Sequence, residues 1–239
     1  AQDIKLPSPQ KQGGEPLMQV LSKRASTRDF DTQKNIDSQT LSNLLWAAWG
    51  YNREDKRTAP SAMNRQEISL YIVTAQGVYL YDAKQNKLAE IAKGDFRKSA
   101  GMQPFVHTAP LNIIFTADLE KAPGNDMMFV DCGFISQNIY LYCASVGLGT
   151  VVRGSFNGDK LAKILKLNEK QKEYINDIQT AGLHLLGMIN EILDMSKIEA
   201  NAVKLNLRTF DINQVVLETI NIIQPLAAKK KLNLTTDIK

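Results

Sequence analysis

At 239 residues, with 44% hydrophobic content, the chain is long enough for one generous domain or two small ones with a real core. Lys and Arg number 29 against 25 Asp and Glu, a formal charge of +4. The charges are scattered rather than gathered into a stripe, so no nucleic-acid footprint is present and any phosphate binding is local. No apolar run approaches the ~20 residues needed to cross a bilayer, so no membrane segment is expected and the chain reads as soluble. The opening Ala1-Gln2-Asp3, without methionine, fits either a processed precursor or an artificially trimmed end. Bacterial cytoplasm and export both stay open.

Residues 1–15, rich in Pro, Gly, Gln and charge and without apolar period, read as an extended arm. A short helix is predicted from Pro16 to Arg24, with proline in the first turn where its missing N–H costs nothing. A second runs from Ser38 to Gly50, carrying Leu41, Leu44, Leu45, Ala48 and Trp49 on one face and ending at glycine. The period then changes: Ile68 to Thr74 and Val78 to Tyr81 read as strands around a turn, and Leu111 to Thr116 as a third. Met127 to Val146 is predicted as a buried central helix. Thr150 to Arg153 reads as extended, and Gly158 to Leu167 as a last short helix. Cys132 and Cys143 fall on the central helix, roughly 16 Å apart at ~1.5 Å per residue, too far to bridge. They are expected to be packing residues. His107, before Thr108-Ala109-Pro110, is expected in a loop at a strand entrance.

Three segments carry candidate chemistry. Arg24-Ala25-Ser26-Thr27-Arg28 sets two guanidinium groups and two hydroxyls after a short helix. This combination suits a phosphate monoester, because the planar forks pair with its oxygens bidentately. By themselves, two arginines near a helix end serve equally well as solvated surface or macrodipole partners. Pro60-Ser61-Ala62-Met63-Asn64-Arg65-Gln66 is a polar loop whose amides complement the edge of a heteroaromatic ring, or simply form a turn. Asp131, Gly133, Gln137 and Asn138, with Gly147-Leu148-Gly149-Thr150 and Gly154 beyond them, mark a helix-to-strand handover where glycines let backbone approach a flat ligand.

In this order and spacing, the motifs R-x-S-x-R-x-F at Arg24 to Phe30, P-S-x-x-N-x-Q at Pro60 to Gln66, and D-x-G-x-x-x-Q-N with G-L-G at Asp131 to Thr150 resemble the nitroreductase family over about residues 16–168. The resemblance implies an α+β fold with a mixed sheet and surrounding helices, a homodimer, and one FMN in each of two interfacial pockets. It implies that Arg24, Ser26 and Arg28 hold the phosphate and ribityl chain. Asn64 and Gln66, with Ser61 in the same motif, would meet the isoalloxazine edge, and backbone from Val151 to Gly154, Val152 included, would lie against the ring. No side chain need act as nucleophile, since the flavin carries the chemistry. NAD(P)H would be the electron donor and a small electron-poor molecule the acceptor.

After Lys170 the texture changes. Ile175, Ile178, Gly182, Leu185, Ile189, Ile192 and Ser196 alternate spacings of three and four, a bundle or coiled-coil seam. The expected division is an arm over 1–15, an FMN domain over 16–170 and a second region over 171–239, with a helix over 171–200 and a partial α/β segment over 201–239. From Lys172 the sequence is similar to the second dimerisation helix of sensor histidine kinases and the opening of their ATP-binding domain. Neither the H-E-x-R-T-P-like phosphoacceptor motif nor the nucleotide-binding boxes occur, and His184 lacks that neighbourhood, so no kinase activity is expected. The apolar seam is expected to pair with that of a second chain. Two other readings stay open: a dimerisation or signalling module with a degraded flavin site, and an artificial joining of two pieces in which neither role applies to the whole.

Overall fold

The computed structural model describes residues 2–122 and 125–167. The expected bundle helix, the partial α/β segment after it and His184 lie outside the described residues.

Two helices lead into the sheet. Helix α1 spans Leu17–Lys23 and α2 spans Ser38–Trp49. Asp37 caps α2, accepting from the Thr40 amide at 2.8 Å and the Thr40 hydroxyl at 2.7 Å, which satisfies a donor the helix itself cannot pair. Leu44, Leu45, Ala48 and Trp49 are buried on one face of α2, as the 3.6-residue period requires.

Strands β1 (Ile4–Lys5), β2 (Ile68–Val73), β3 (Gly77–Asp82), β4 (Lys87–Lys93) and β5 (Asn112–Ala117) form one sheet in the order β1-β4-β3-β2-β5. Every pairing between these strands is antiparallel, where a mixed sheet was expected. The single parallel pairing among the described residues is an isolated bridge, Ser26 with Thr150. The topology explains this: β2, β3 and β4 follow one another through tight turns, and β5 returns beside β2. β2 is buried nearly throughout, as a strand covered on both faces must be.

Leu70 and Ile72 pack with α2 and with α4 (Asn125–Ser145), while Tyr71 and Val73 pack with the short α3 (Pro104–Thr108) and α5 (Gly158–Leu165). Adjacent β2 side chains thus feed opposite layers. α5 starts at Asn157, whose side chain accepts from Lys160 N at 2.9 Å, and ends at left-handed Lys166. Cys143 is buried on α4 and burial pushes its thiol up to about 12, so it packs and does not ionise. His107 lies in the last turn of α3 and not in a loop: Pro104 at the first helical position starts a turn of helix before β5.

The N-terminal segment is anchored to the sheet. Ile4 and Lys5 pair with Leu88 and Lys87. Leu6 is buried, and Asn86 donates to the Pro7 carbonyl at 2.7 Å.

Candidate functional site

The segment after α1 leaves the helix at Arg24 and runs against the chain beyond α4. Thr27 N donates to the Thr150 carbonyl at 2.9 Å, completing the Ser26–Thr150 bridge. A Cβ added at Gly149 would lie 2.9 Å from Thr27 Cγ2. That glycine therefore permits a close backbone approach, made here to the chain's own Thr27. Tyr140 on α4 ties the segments together. Its hydroxyl accepts from Val152 N at 3.0 Å and shares a 2.9 Å hydrogen bond with Ser26 Oγ, while the Arg24 guanidinium lies 5.3 Å from the ring centre.

Arg28 and Ser26 are exposed, Arg24 is half-buried, Val152 is exposed, and an added Cβ at Gly154 would meet open space. Among the described residues neither Arg24 nor Arg28 pairs with a carboxylate. Two uncompensated guanidinium groups beside a hydroxyl form a donor set matched to an acceptor-only phosphate. Arg153, next to Val152 in the chain, is half-buried, donating to the Ala100 carbonyl and to Asn112 Oδ1, and burial lowers its pKa to about 10.

The loop Pro60–Gln66 forms a second cluster. Met63, Asn64 and Gln66 all take left-handed backbone, at φ 53°, 54° and 52°, each at a cost on the order of 1 kcal/mol for a non-glycine residue. Side chains hold this conformation. Ser61 Oγ accepts from Gln66 N at 3.0 Å, and Asp131 Oδ2 on α4 accepts from Ala62 N at 2.9 Å. Gln66 Oε1 accepts from Tyr51 OH at 3.1 Å and Arg57 Nε at 2.9 Å, so its amide nitrogen is oriented to donate, to the Asp55 carbonyl at 2.7 Å and Asn64 Oδ1 at 3.0 Å. Both lone pairs and both protons of the Gln66 amide are thereby engaged inside the chain. Asn64 keeps one acceptor site and one donor, its other N–H reaching the Asp55 carbonyl at 3.3 Å.

Arg57 organises this loop. Its guanidinium stacks on Tyr51 at 4.1 Å and Trp49 at 4.9 Å, and donates to the Trp49 carbonyl at 2.8 Å. Arg57 and Tyr51 lie outside the three motifs, and Tyr140 falls inside the span of the third without being one of the residues it specifies; the one signal for Arg57 is an arginine three residues before the Pro60 loop.

Glu67 follows the loop directly and is 1% exposed, as is Asp131. Burial pushes the Glu67 carboxyl up to about 7, and the neighbouring Asp131 adds to the shift. Neither Glu67 oxygen has a well-formed hydrogen bond from the described residues, surroundings that favour the neutral carboxyl beside Asp131. A glutamate leading into a buried strand was the signal for this pair.

Other motif residues have structural partners. Asn138 Nδ2 donates to the Ala47 carbonyl at 3.0 Å, joining α4 to α2. Gly147, at φ 73°, takes the left-handed turn after α4. The structure therefore gathers Arg24, Ser26 and Val152 around Tyr140, and Ser61, Asn64 and Gln66 around Arg57 and Asp131. Among the described residues no hydrogen bond or ring contact links the two groups.

The nitroreductase family model matches residues 21–182. A Methanocaldococcus jannaschii protein named as a nitroreductase is 29% identical over 170 residues, 64% of this chain and 85% of its own length. A Ralstonia eutropha JMP134 crystal structure described as a nitroreductase is 40% identical with a TM-score of 0.65, covering 70% of this chain and 83% of that one. In the C-terminal portion, a circadian input-output histidine kinase of Synechococcus elongatus is 40% identical over 73 residues, 30% of this chain. The match spans only 10% of the kinase. The chain belongs to the nitroreductase family, joined to a partial histidine-kinase segment.

Proposed function

We propose that the chain is an FMN-dependent oxidoreductase that takes electrons from NAD(P)H and passes them to a small electron-poor acceptor. The observation that carries this reading is the pair of guanidinium groups, Arg24 and Arg28, which flank Ser26 in the chain and pair with no carboxylate among the described residues. Family membership supports it.

Arg24, Ser26 and Arg28 bind the phosphate end. Asn64 offers its remaining donor and acceptor to the ring edge. Ser61 and Gln66, whose groups are engaged within the loop, hold Asn64 in its left-handed conformation. Backbone at Val152 and Gly154, beside an open face, lies against the ring. Bound FMN supplies the hydride acceptor and donor; the chain binds it, orients it and fixes the charges around it.

A homodimer completes the proposal. Leu17, Met18 and Leu21 on α1 and Met127, Val130 and Phe134 on α4 are exposed, apolar surface of the kind that subunit contacts cover.

Purified protein should be yellow, and heat should release FMN and no FAD. Adding NADH or NADPH without oxygen should bleach the colour. A chain that stays colourless after soaking in FMN contradicts the proposal.

A further inference from the structure

We propose that Tyr140 is a positioning residue whose hydroxyl fixes Ser26 as a hydrogen-bond donor to the phosphate of the bound cofactor. The inference rests on the FMN reading above and adds a residue to it.

Tyr140 OH lies 3.0 Å from Val152 N and 2.9 Å from Ser26 Oγ. An amide N–H only donates, so the phenol oxygen accepts from Val152. Two polarities remain for the bond to Ser26. If Ser26 donates to the phenol, its proton is consumed and it turns lone pairs toward the phosphate, which offers only lone pairs in return. If the phenol donates to Ser26, the serine proton is free for the anion. Ser26 has no other side-chain hydrogen bond among the described residues, so nothing competes for that proton. A phosphate beside Ser26 therefore selects the second polarity, and Tyr140 holds it because Val152 already occupies a lone pair of its oxygen.

Arg24 reinforces the arrangement. Its guanidinium stands 5.3 Å from the Tyr140 ring centre, within cation–π range, so the same residue steers a second phosphate ligand. The segment after α1 does not depend on the phenol for its course. Thr27 N to the Thr150 carbonyl, the Ser26–Thr150 bridge and the packing of Thr27 on Gly149 hold it independently. Removing one oxygen should leave the fold intact, because the exposed Val152 N–H can turn to solvent, and should release the fixed polarity of Ser26.

The test is a double-mutant cycle on the full chain, with Tyr140→Phe, Ser26→Ala and the double variant, titrated with FMN and with riboflavin by flavin fluorescence. Tyr140→Phe should weaken FMN about tenfold, leave riboflavin affinity and melting temperature unchanged, and have no added effect once Ser26 is alanine. Unchanged FMN affinity, equal loss for FMN and riboflavin, or independent additive effects of the two substitutions would overturn the proposal. Should riboflavin bind too weakly to titrate, the coupling in the FMN cycle decides. A wild-type chain that binds neither flavin overturns the FMN reading as well, so the two failures are distinguishable.

Discussion

Replacing Trp49 with alanine should cost about 3–5 kcal/mol of folding stability, the range for truncating a buried aromatic, and should weaken FMN binding along with it. Trp49 is 2% exposed and its indole N–H donates to the Ile68 carbonyl at 2.8 Å, so alanine leaves both a cavity and a carbonyl without its donor. The effect reaches the site through Arg57. That guanidinium rests on the Trp49 ring at 4.9 Å and orients Gln66, which in turn holds Asn64. Melting should fall by roughly 6–20 °C, taking 2–4 °C per kcal/mol for a chain of this size. Trp49→Phe keeps a stacking surface but loses the indole donor and one fused ring, so it should cost less than alanine, about 1–3 kcal/mol. A loss under 1 kcal/mol for the alanine variant, in urea unfolding, would show that Trp49 does not support the layer between α2 and β2.

Stability should also fall as pH rises from about 4.5 to 7, and Glu67→Gln should abolish much of that slope. Burial and the adjacent Asp131 raise the folded Glu67 carboxyl from its ordinary 4.5 to about 7. Between those values the folded state holds a proton that the unfolded state has released, so the derivative of stability with pH is negative. Below the lower value both states are protonated and the contribution is fully present. Above about 7 both are ionised and the loss is complete. At 1.36 kcal/mol per pH unit the window spans about 3 kcal/mol. Glutamine keeps a donor for Asp131 and cannot ionise, so the variant should match wild type near pH 5 and exceed it near pH 8. Urea unfolding at pH 5, 6, 7 and 8 measures this. Parallel pH profiles for wild type and variant would mean that Glu67 does not carry the proton.

The helices other than the short α3 were legible because their signals are local. Asp37 before Ser38, Gly50 after Trp49 and Gly147 after the central helix mark ends with capping chemistry that needs no tertiary partner. β2, β3 and β5 were legible from β-branched and aromatic runs. β4 was not, because Lys87-Leu-Ala-Glu-Ile-Ala-Lys93 favours helix by composition and becomes a strand only by pairing with β3. Its turn is built by Asp82, which accepts from Lys84 N and Gln85 N at 3.0 Å each, and by Asn86 at φ 47°. β1 escaped notice because two residues carry no period, and their partner lies more than 80 positions away.

The same division runs through the candidate site. Arg24, Ser26, Asn64 and Gln66 stand in motifs with fixed spacing, which a linear reading captures. Tyr140, Arg57 and Glu67 act on those motifs across the fold, and their partners at Val152, Trp49 and Asp131 are set by packing. The polarity of the Gln66 amide is likewise invisible in sequence, since it follows from Arg57 Nε and Tyr51 OH converging on one oxygen.

The central claim is that the exposed arginine and serine after α1 hold the phosphate of FMN. Equilibrium titration of FMN against wild type and Arg28→Ala tests it most directly. The account predicts that the variant binds FMN roughly 10–150-fold more weakly, equivalent to about 1.5–3 kcal/mol for a hydrogen bond to a charged group. Equal FMN affinity in the two proteins would contradict it.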